Sequence, residues 1–479
     1  DVAKKARLRF ALMECFNQQF TVAWRRSRTQ ARAGQITATS DAYLHELLGS
    51  LPFSLTAAQQ RCVQEIRADM AVPRPMNRLL QGDVGSGKTL VALCAMLLAV
   101  ESGKTAALIA PTQILAEQHY NNFRRILKAT DLRISLRTAD RADDSGCILT
   151  EPGEADAEPR LLVGTHALLY KKNRPHNLGL AVIDEQHKFG VAQRERFINC
   201  GDNPDVLVMT ATPIPRTLTL TLYGDLDVSV IDELPANRGE IITARRDPRH
   251  MQRIIDFMRR EIEAGRQAYI VSPLVEESET RTQASATAEL EKWKGIFPQF
   301  EAGLLHGRLS AEEKDAVMAD FRANRTQLLI ATTVVEVGVD VPNATIMLIN
   351  DADAFGLSQL HQLRGRIGRG EHKSYCILLS TAKEGEPGRE KLDVLCRTLN
   401  GFEIAEEDFR LRGPGDVLGT AQSGLRTVRF TEWLTDMRLI HRANREAQAI
   451  LQTDPDLTLP AHAPLRALIA SESSTPITG

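Results

Sequence analysis

Several things are scarce in this chain. Cysteine occurs seven times in 479 residues (Cys15, Cys62, Cys94, Cys147, Cys200, Cys376, Cys396), an odd number, widely spaced and with no CxxC pair. That spacing excludes a disulfide framework, gives no zinc site, and fits free thiols in a reducing cytosol. Charge of one sign is lacking too: 59 basic against 61 acidic residues leave a net charge of −2, which excludes a uniformly basic nucleic-acid coat but not a single basic face. No long hydrophobic run exists. The longest, Leu90 to Val100, is too short to span a bilayer and reads as a buried helix, so no membrane role is expected. No short-period repeat is present, and 43% hydrophobic with 25% charged residues excludes a disordered chain, a fibrous repeat or a coiled coil. The chain opens on Asp1 with no hydrophobic signal region, so a native N-terminus further upstream is expected.

What is present is alternation. Residues 1–34 carry Leu8, Leu12, Cys15, Phe16, Phe20 and Trp24 at helical spacing. That helix also holds Lys4, Lys5, Arg7, Arg9, Arg25, Arg26, Arg28 and Arg32, either a solvated face or a patch for phosphates. Short apolar runs then recur at Leu79-Leu80, Ala106–Ala110, Leu161–Val163, Leu180–Ile183 and Val206–Met209. A second set follows at Ala268–Val271, Leu328–Ala331, Thr345–Ile349 and Tyr375–Leu379, and helical patterns separate the runs. Buried parallel strands between helices have this signature, so two α/β doubly wound domains are expected. The predicted boundaries are a leading helix at 1–50, a first α/β domain at 51–236, a second at 237–388 and a helical region at 389–479. Asp232 to Gly239 reads as the linker, 139–160 as an exposed acidic loop, and Ser471–Gly479 as a frayed tail.

Three motifs carry chemistry. Gly82-Asp-Val-Gly85-Ser-Gly87-Lys88-Thr89 matches G-x-x-x-x-G-K-[ST], with an apolar run before it and a helix after it. Its glycines let the backbone wrap phosphates, Lys88 reaches the β- and γ-phosphates of a bound nucleotide, and Thr89 ligates Mg²⁺. Val182-Ile183-Asp184-Glu185 ends a strand in two carboxylates: Asp184 suits Mg²⁺ held through water and Glu185 the polarising of an attacking water. In Gln359-Leu-His-Gln362-Leu-Arg364-Gly-Arg366-Ile-Gly-Arg369-Gly370, three arginines stand within six residues. Buried, they would need anionic partners such as a triphosphate, and Arg366 and Arg369 suit arginine fingers.

In order and content these motifs resemble superfamily 2 helicases with two RecA-like domains. The resemblance implies adenine recognition by a Q motif of Phe53, Thr56 and Gln59. It implies strand contacts through Thr112 of Ala110-Pro-Thr112, through Thr165 and His166, and, in the second half, through Arg308 and Thr333. Thr210-Ala-Thr212 resembles the motif linking hydrolysis to DNA, and Thr332 to Asp340 resembles motif V, with Gly338 and Asp340 at the nucleotide. Asp184-Glu-Gln-His187 with Phe189-Gly-Val191, Thr210–Thr217, Asp232-Glu-Leu-Pro235 and Arg412-Gly-Pro-Gly415 narrow it to the RecG type. That type implies coupling roles for His187, Thr210, Thr212, Gln362, Arg412 and Gln422. It also implies ATP-driven movement on branched and duplex DNA (stalled forks, Holliday junctions), action as a monomer in the bacterial cytosol and nucleoid, and a single-strand binding protein as partner. Three departures stand out: Lys188 where arginine is usual, an acidic 137–160 in place of a basic helical segment, and no N-terminal wedge domain of OB type. Two alternatives stay open. One is a translocase of transcription-repair coupling type, from which Gln186 and the Arg-Gly-Pro-Gly turn point away. The other is an ATP-gated DNA-binding scaffold, which would need neither Glu185 nor the arginines.

Overall fold

The computed structural model describes residues 2–473 except 38–39, 129, 140, 146–159, 171–172, 211–212, 216–217, 220–223, 236–238, 274–278, 332–340 and 414–435. The chain begins with helices α1 (Val2–Gln30), α2 (Ala42–Ser50) and α3 (Ala57–Met70). The first sheet is then laid down as β1 (Asn77–Gly82), α4 (Lys88–Glu101), β2 (Thr105–Ile109), α5 (Gln113–Ile126), β3 (Ile134–Arg137), β4 (Ala142–Ser145), β5 (Leu161–Gly164), β6 (Leu178–Ile183), α6 (Val191–Ile198), β7 (Asp205–Thr210) and β8 (Asp227–Ile231). Its spatial order is β4-β3-β5-β2-β6-β7-β1-β8, parallel except at the β3–β4 pair. The inner strands are buried on both faces, which is why their sequences are nearly continuous apolar runs. Helix α4 is buried from Val91 to Val100, as the apolar run predicts.

The second sheet is built from β9 (Ile241–Arg246), α7 (Met251–Glu263), β10 (Gln267–Val271), α8 (Glu279–Ile296), β11 (Ala302–Leu305), α9 (Ala311–Arg322), β12 (Leu328–Ala331), β13 (Ala344–Ile349), α10 (Leu357–Arg364) and β14 (Ser374–Leu379). Its order is β11-β12-β10-β13-β14-β9, and every pair is parallel. Helices α11 (Pro387–Arg397), α12 (Gly401–Arg412), α13 (Met437–Thr453) and α14 (Ala463–Ser473) complete the chain. Each sheet buries both faces in apolar clusters, so the two doubly wound layers expected from the sequence are present.

One reading needs correction. The 139–160 segment is not wholly a loop: Ala142–Ser145 pairs antiparallel with β3 at the sheet edge, and 146–159 lie outside the described residues. The leading helix packs against the C-terminal helices. Ala11 and Cys15 pack on Ile440 and Ala443, and Phe20 and Ala23 on Ala447 and Leu451, so α1 lies beside α13 and runs in the same direction. Part of its charge is used internally, with Arg26 bonded to Asp227 and Arg28 to Asp456 at 3.1 Å. The six described cysteines are free, and burial pushes the thiols of Cys15, Cys94 and Cys376 up to about 12. The predicted tail is described only as far as residue 473.

Candidate nucleotide site

Strand order sets the site. Strand β1 ends in the glycine loop, β7 lies beside it and β6 beside β7, so loop 82–89 and Asp184 open on the same C-terminal edge of the sheet. That edge is where open α/β sheets hold ligands. Gly85 and Gly87 have φ of 76° and 87°, in the left-handed region that side chains rarely adopt. A Cβ on Gly87 would also stand 2.3 Å from Gln59 Nε2. No side chain caps the start of α4, which leaves its first-turn amides for an anion. Lys88 Nζ donates to the carbonyls of Gly82 and Asp83, each at 2.8 Å. Burial pushes the Lys88 ammonium down, Glu185, Asp83 and Asp184 push it back up, and Arg369 of the second half lowers it; the net direction is down. Ser86 Oγ is buried with no hydrogen-bond partner among the described residues.

The amide of Asp184 donates to Ile109 O at 3.0 Å, which fixes its backbone at the end of β6. Its Oδ2 lies 2.8 Å from His119 Nε2, a residue of α5 that the sequence reading missed, since one histidine on a buried helix face carries no signal. Glu185 has φ 51° and ψ 57°, an uncommon conformation for a residue with a side chain and a kind of strain that clusters at functional sites. The side chain of His187 lies outside what is described.

From the second half, Arg369 donates from Nε to Gly365 O at 3.0 Å, and Gly365 lies close enough to the phosphate loop that a Cβ there would meet Val84 Cγ1 at 2.6 Å. Arg366 is half-buried just beyond α10. Arg364 is only 2% exposed and donates through Nη1 to the carbonyls of Leu395 (2.7 Å) and Thr398 (2.9 Å) and through Nη2 to His361 Nδ1 (2.9 Å). Backbone carbonyls and an imidazole are thus among the partners of this buried guanidinium.

The remaining predicted residues fall into two groups. Gln59 is buried and closes a capping box with Thr56, while its Nε2 donates to Ser86 O at 2.8 Å, so it braces the phosphate loop. Phe53 is exposed. Thr112 caps α5 through Leu115 N, and Thr165 caps the next turn through Ala167 N. His166 and Arg308 are exposed, Gln362 is half-buried, and Thr210 is buried at the end of β7. Arg412 bonds Asp408 at 2.9 Å, Asp408 accepts from Ser358 Oγ at 2.7 Å, and an Arg412 nitrogen would lie 2.4 Å from a Cβ on Gly356, so the end of α12 sits against the start of α10. Thr212, Thr333, Gly338, Asp340 and Gln422 lie outside the described residues.

Three family models match the chain: "DEAD/DEAH box helicase" over residues 56–221, "Helicase conserved C-terminal domain" over 249–371, and "ATP-dependent DNA helicase RecG, domain 3, C-terminal" over 398–471. The ATP-dependent DNA helicase RecG of Bacillus subtilis (strain 168) is 46% identical over 471 residues, 97% of this chain and 68% of that protein. The Synechocystis sp. protein of that name is also 46% identical, over 94% of this chain and 54% of its own length. Among solved structures, one described as RecG bound to a three-way DNA junction matches with a TM-score of 0.74 at 38% identity, covering 93% of this chain and 57% of that one. The chain thus spans between about half and two thirds of the length of these relatives.

Proposed function

Because this chain belongs to the RecG family of ATP-dependent DNA helicases, we propose that it hydrolyses ATP between its two sheets and uses the turnover to move on duplex DNA at branch points, including stalled forks and Holliday junctions, in recombination and repair. The observation that carries the reading is the meeting of the two halves at the phosphate loop: Gly365 of the arginine motif comes so close that a Cβ on it would stand 2.6 Å from Val84 Cγ1, and Asp184, Glu185 and Arg369 all act on the Lys88 ammonium. Phosphoryl transfer needs this arrangement, because its catalysis is almost wholly positioning and charge stabilisation.

In this reading the triphosphate takes the place of the two carbonyls that Lys88 now contacts, and the amides of Gly85, Gly87, Lys88 and Thr89 wrap it. The glycine cradle and the unpartnered Ser86 hydroxyl fit such an anion. Mg²⁺, held by Thr89 and through water by Asp184, would neutralise charge on the phosphates. Glu185 orients and polarises the attacking water, while Arg366 and Arg369 stabilise the charge that gathers on the transferred group. Phe53 and Gln59 hold the adenine, with Gly338 and Asp340 facing the nucleotide from the second half. Thr112, Thr165, His166, Arg308 and Thr333 grip phosphates of the DNA, and such contacts ignore base sequence. His187, Thr210, Thr212, Gln362, Arg412 and Gln422 pass the nucleotide state to the DNA contacts. Action as a monomer in the bacterial cytosol and nucleoid, beside a single-strand binding protein, completes the proposal.

Phosphate release by this chain, measured on a three-way junction and on a linear duplex of equal total length at fixed salt, tests the branch preference. The junction is expected to stimulate hydrolysis more than the duplex; equal stimulation would contradict a branched substrate.

A further inference from the structure

The phosphate-loop pattern leaves its second position open, yet here that position is a buried carboxylate. Asp83 is 7% exposed, His361 5% and Arg364 2%, and the three meet where the two halves touch. An ionised side chain so deep is costly unless every partner is in place. The directions of its hydrogen bonds are fixed by chemistry. Arg364 has only donors, so the 2.9 Å contact from its Nη2 makes His361 Nδ1 an acceptor. The proton of the neutral ring is therefore on Nε2, which donates to Asp83 Oδ1 at 2.5 Å. Asp83 Oδ2 accepts from the amide of Gly401 at 2.9 Å, the first residue of α12. Arg364 in turn holds the carbonyls of Leu395 and Thr398. The polar chain thus runs from the end of α11 through Arg364 and His361 to the phosphate loop, and from there back to the start of α12.

We infer that His361 is a positioning residue for the hydrolysis proposed above: with Asp83 and Arg364 it clamps the arginine-bearing helix α10 and the first turn of α12 to the phosphate loop. The inference rests on that reading of the site. Arg366 and Arg369 follow α10 directly, so their distance from the loop is set by the clamp. Helix α12 ends at Arg412, beside the start of α10, where Asp408 accepts from Ser358 Oγ at 2.7 Å, so hydrogen bonds tie the loop, α10 and both ends of α12 together. The ring requires a side chain at 361 that accepts from a guanidinium on one side and donates to a carboxylate on the other. Glutamine offers both functions on a stem of similar reach, whereas leucine offers neither.

The test compares His361→Leu with His361→Gln in DNA-stimulated phosphate release, with kcat and KM for ATP separated and thermal melting recorded for each. His361→Leu is expected to lower kcat at least about tenfold while KM for ATP changes less than about threefold, the mark of an interaction that matters mainly in the transition state. His361→Gln is expected to recover kcat to within about threefold of the parent chain. Should His361→Leu fail to fold, His361→Asn replaces it, with the same amide on a stem too short to reach both partners. A His361→Leu chain with parental kcat, or a His361→Gln chain no better than the leucine variant while melting like the parent, overturns the inference. A parent chain that hydrolyses no ATP on any DNA sinks the hydrolysis reading and this inference with it. A parent that does so beside an indifferent leucine variant sinks the inference alone.

Discussion

Asp205 sits at the start of β7 with 4% exposure and accepts from Met76 N at 2.7 Å. Burial pushes its carboxyl up to about 7, nearby Asp69 adds to the rise, and the Met76 bond opposes it. Its folded pKa therefore lies above the unfolded value near 4, and the native state binds the extra proton between the two. The stability it contributes is full below about pH 4 and is lost as pH rises to about 7. Asp205→Asn keeps the acceptor and removes the charge, so relative to the parent it is expected to gain roughly 2–4 kcal/mol between pH 4 and pH 8. Urea unfolding at both pH values measures this, and a difference that does not change with pH would contradict it. At the same scale, what was legible in the sequence was what is local. Gly82, Gly85, Gly87, Lys88 and Thr89 announce themselves by spacing, and the loop has the conformations that spacing requires. His119 and His361 did not, because their carboxylate partners stand 65 and 278 positions away. For Arg364, burial was legible as a need for partners, but not that carbonyls of 395 and 398 would be among them.

At the scale of elements, nine inner and near-inner strands follow apolar runs that the sequence displays. The strands it conceals are β3, β4, β8, β9 and β11, and four of these are the sheet edges. Three of these edges, β4, β8 and β9, carry polar residues, as in Ala142-Asp-Asp-Ser145 and Ile241-Ile-Thr-Ala-Arg-Arg246, so no continuous apolar run marks them, and β11 is only four residues long. The α1–α13 pairing was equally hidden, since it joins the two ends of the sequence. Phe20 is fully buried in that contact, beside Ala447 and Leu451. Phe20→Ala is expected to cost about 3–5 kcal/mol there. The contact is a small cluster separate from the sheet cores, so the loss is expected locally, as faster amide hydrogen exchange in α1 and α13 with β1 and β2 unchanged. Uniform acceleration across all elements would show that the helix pair is part of one cooperative unit.

At the scale of the whole molecule, the near-zero net charge conceals a division of roles. Carboxylates gather at Asp184 and Glu185, and the fold brings them and Arg369 of the other half to bear on Lys88 of one loop. Neither half alone supplies a complete set, so the central claim is that the two act as one ATP-hydrolysing site under DNA control. The most direct test is phosphate release with ATP and duplex DNA, by the parent chain and by Lys88→Ala at equal concentration. DNA is expected to raise the parent rate severalfold, and the alanine variant is expected to release no phosphate above background. A parent rate indifferent to DNA, or DNA-stimulated hydrolysis retained without Lys88, would contradict the account.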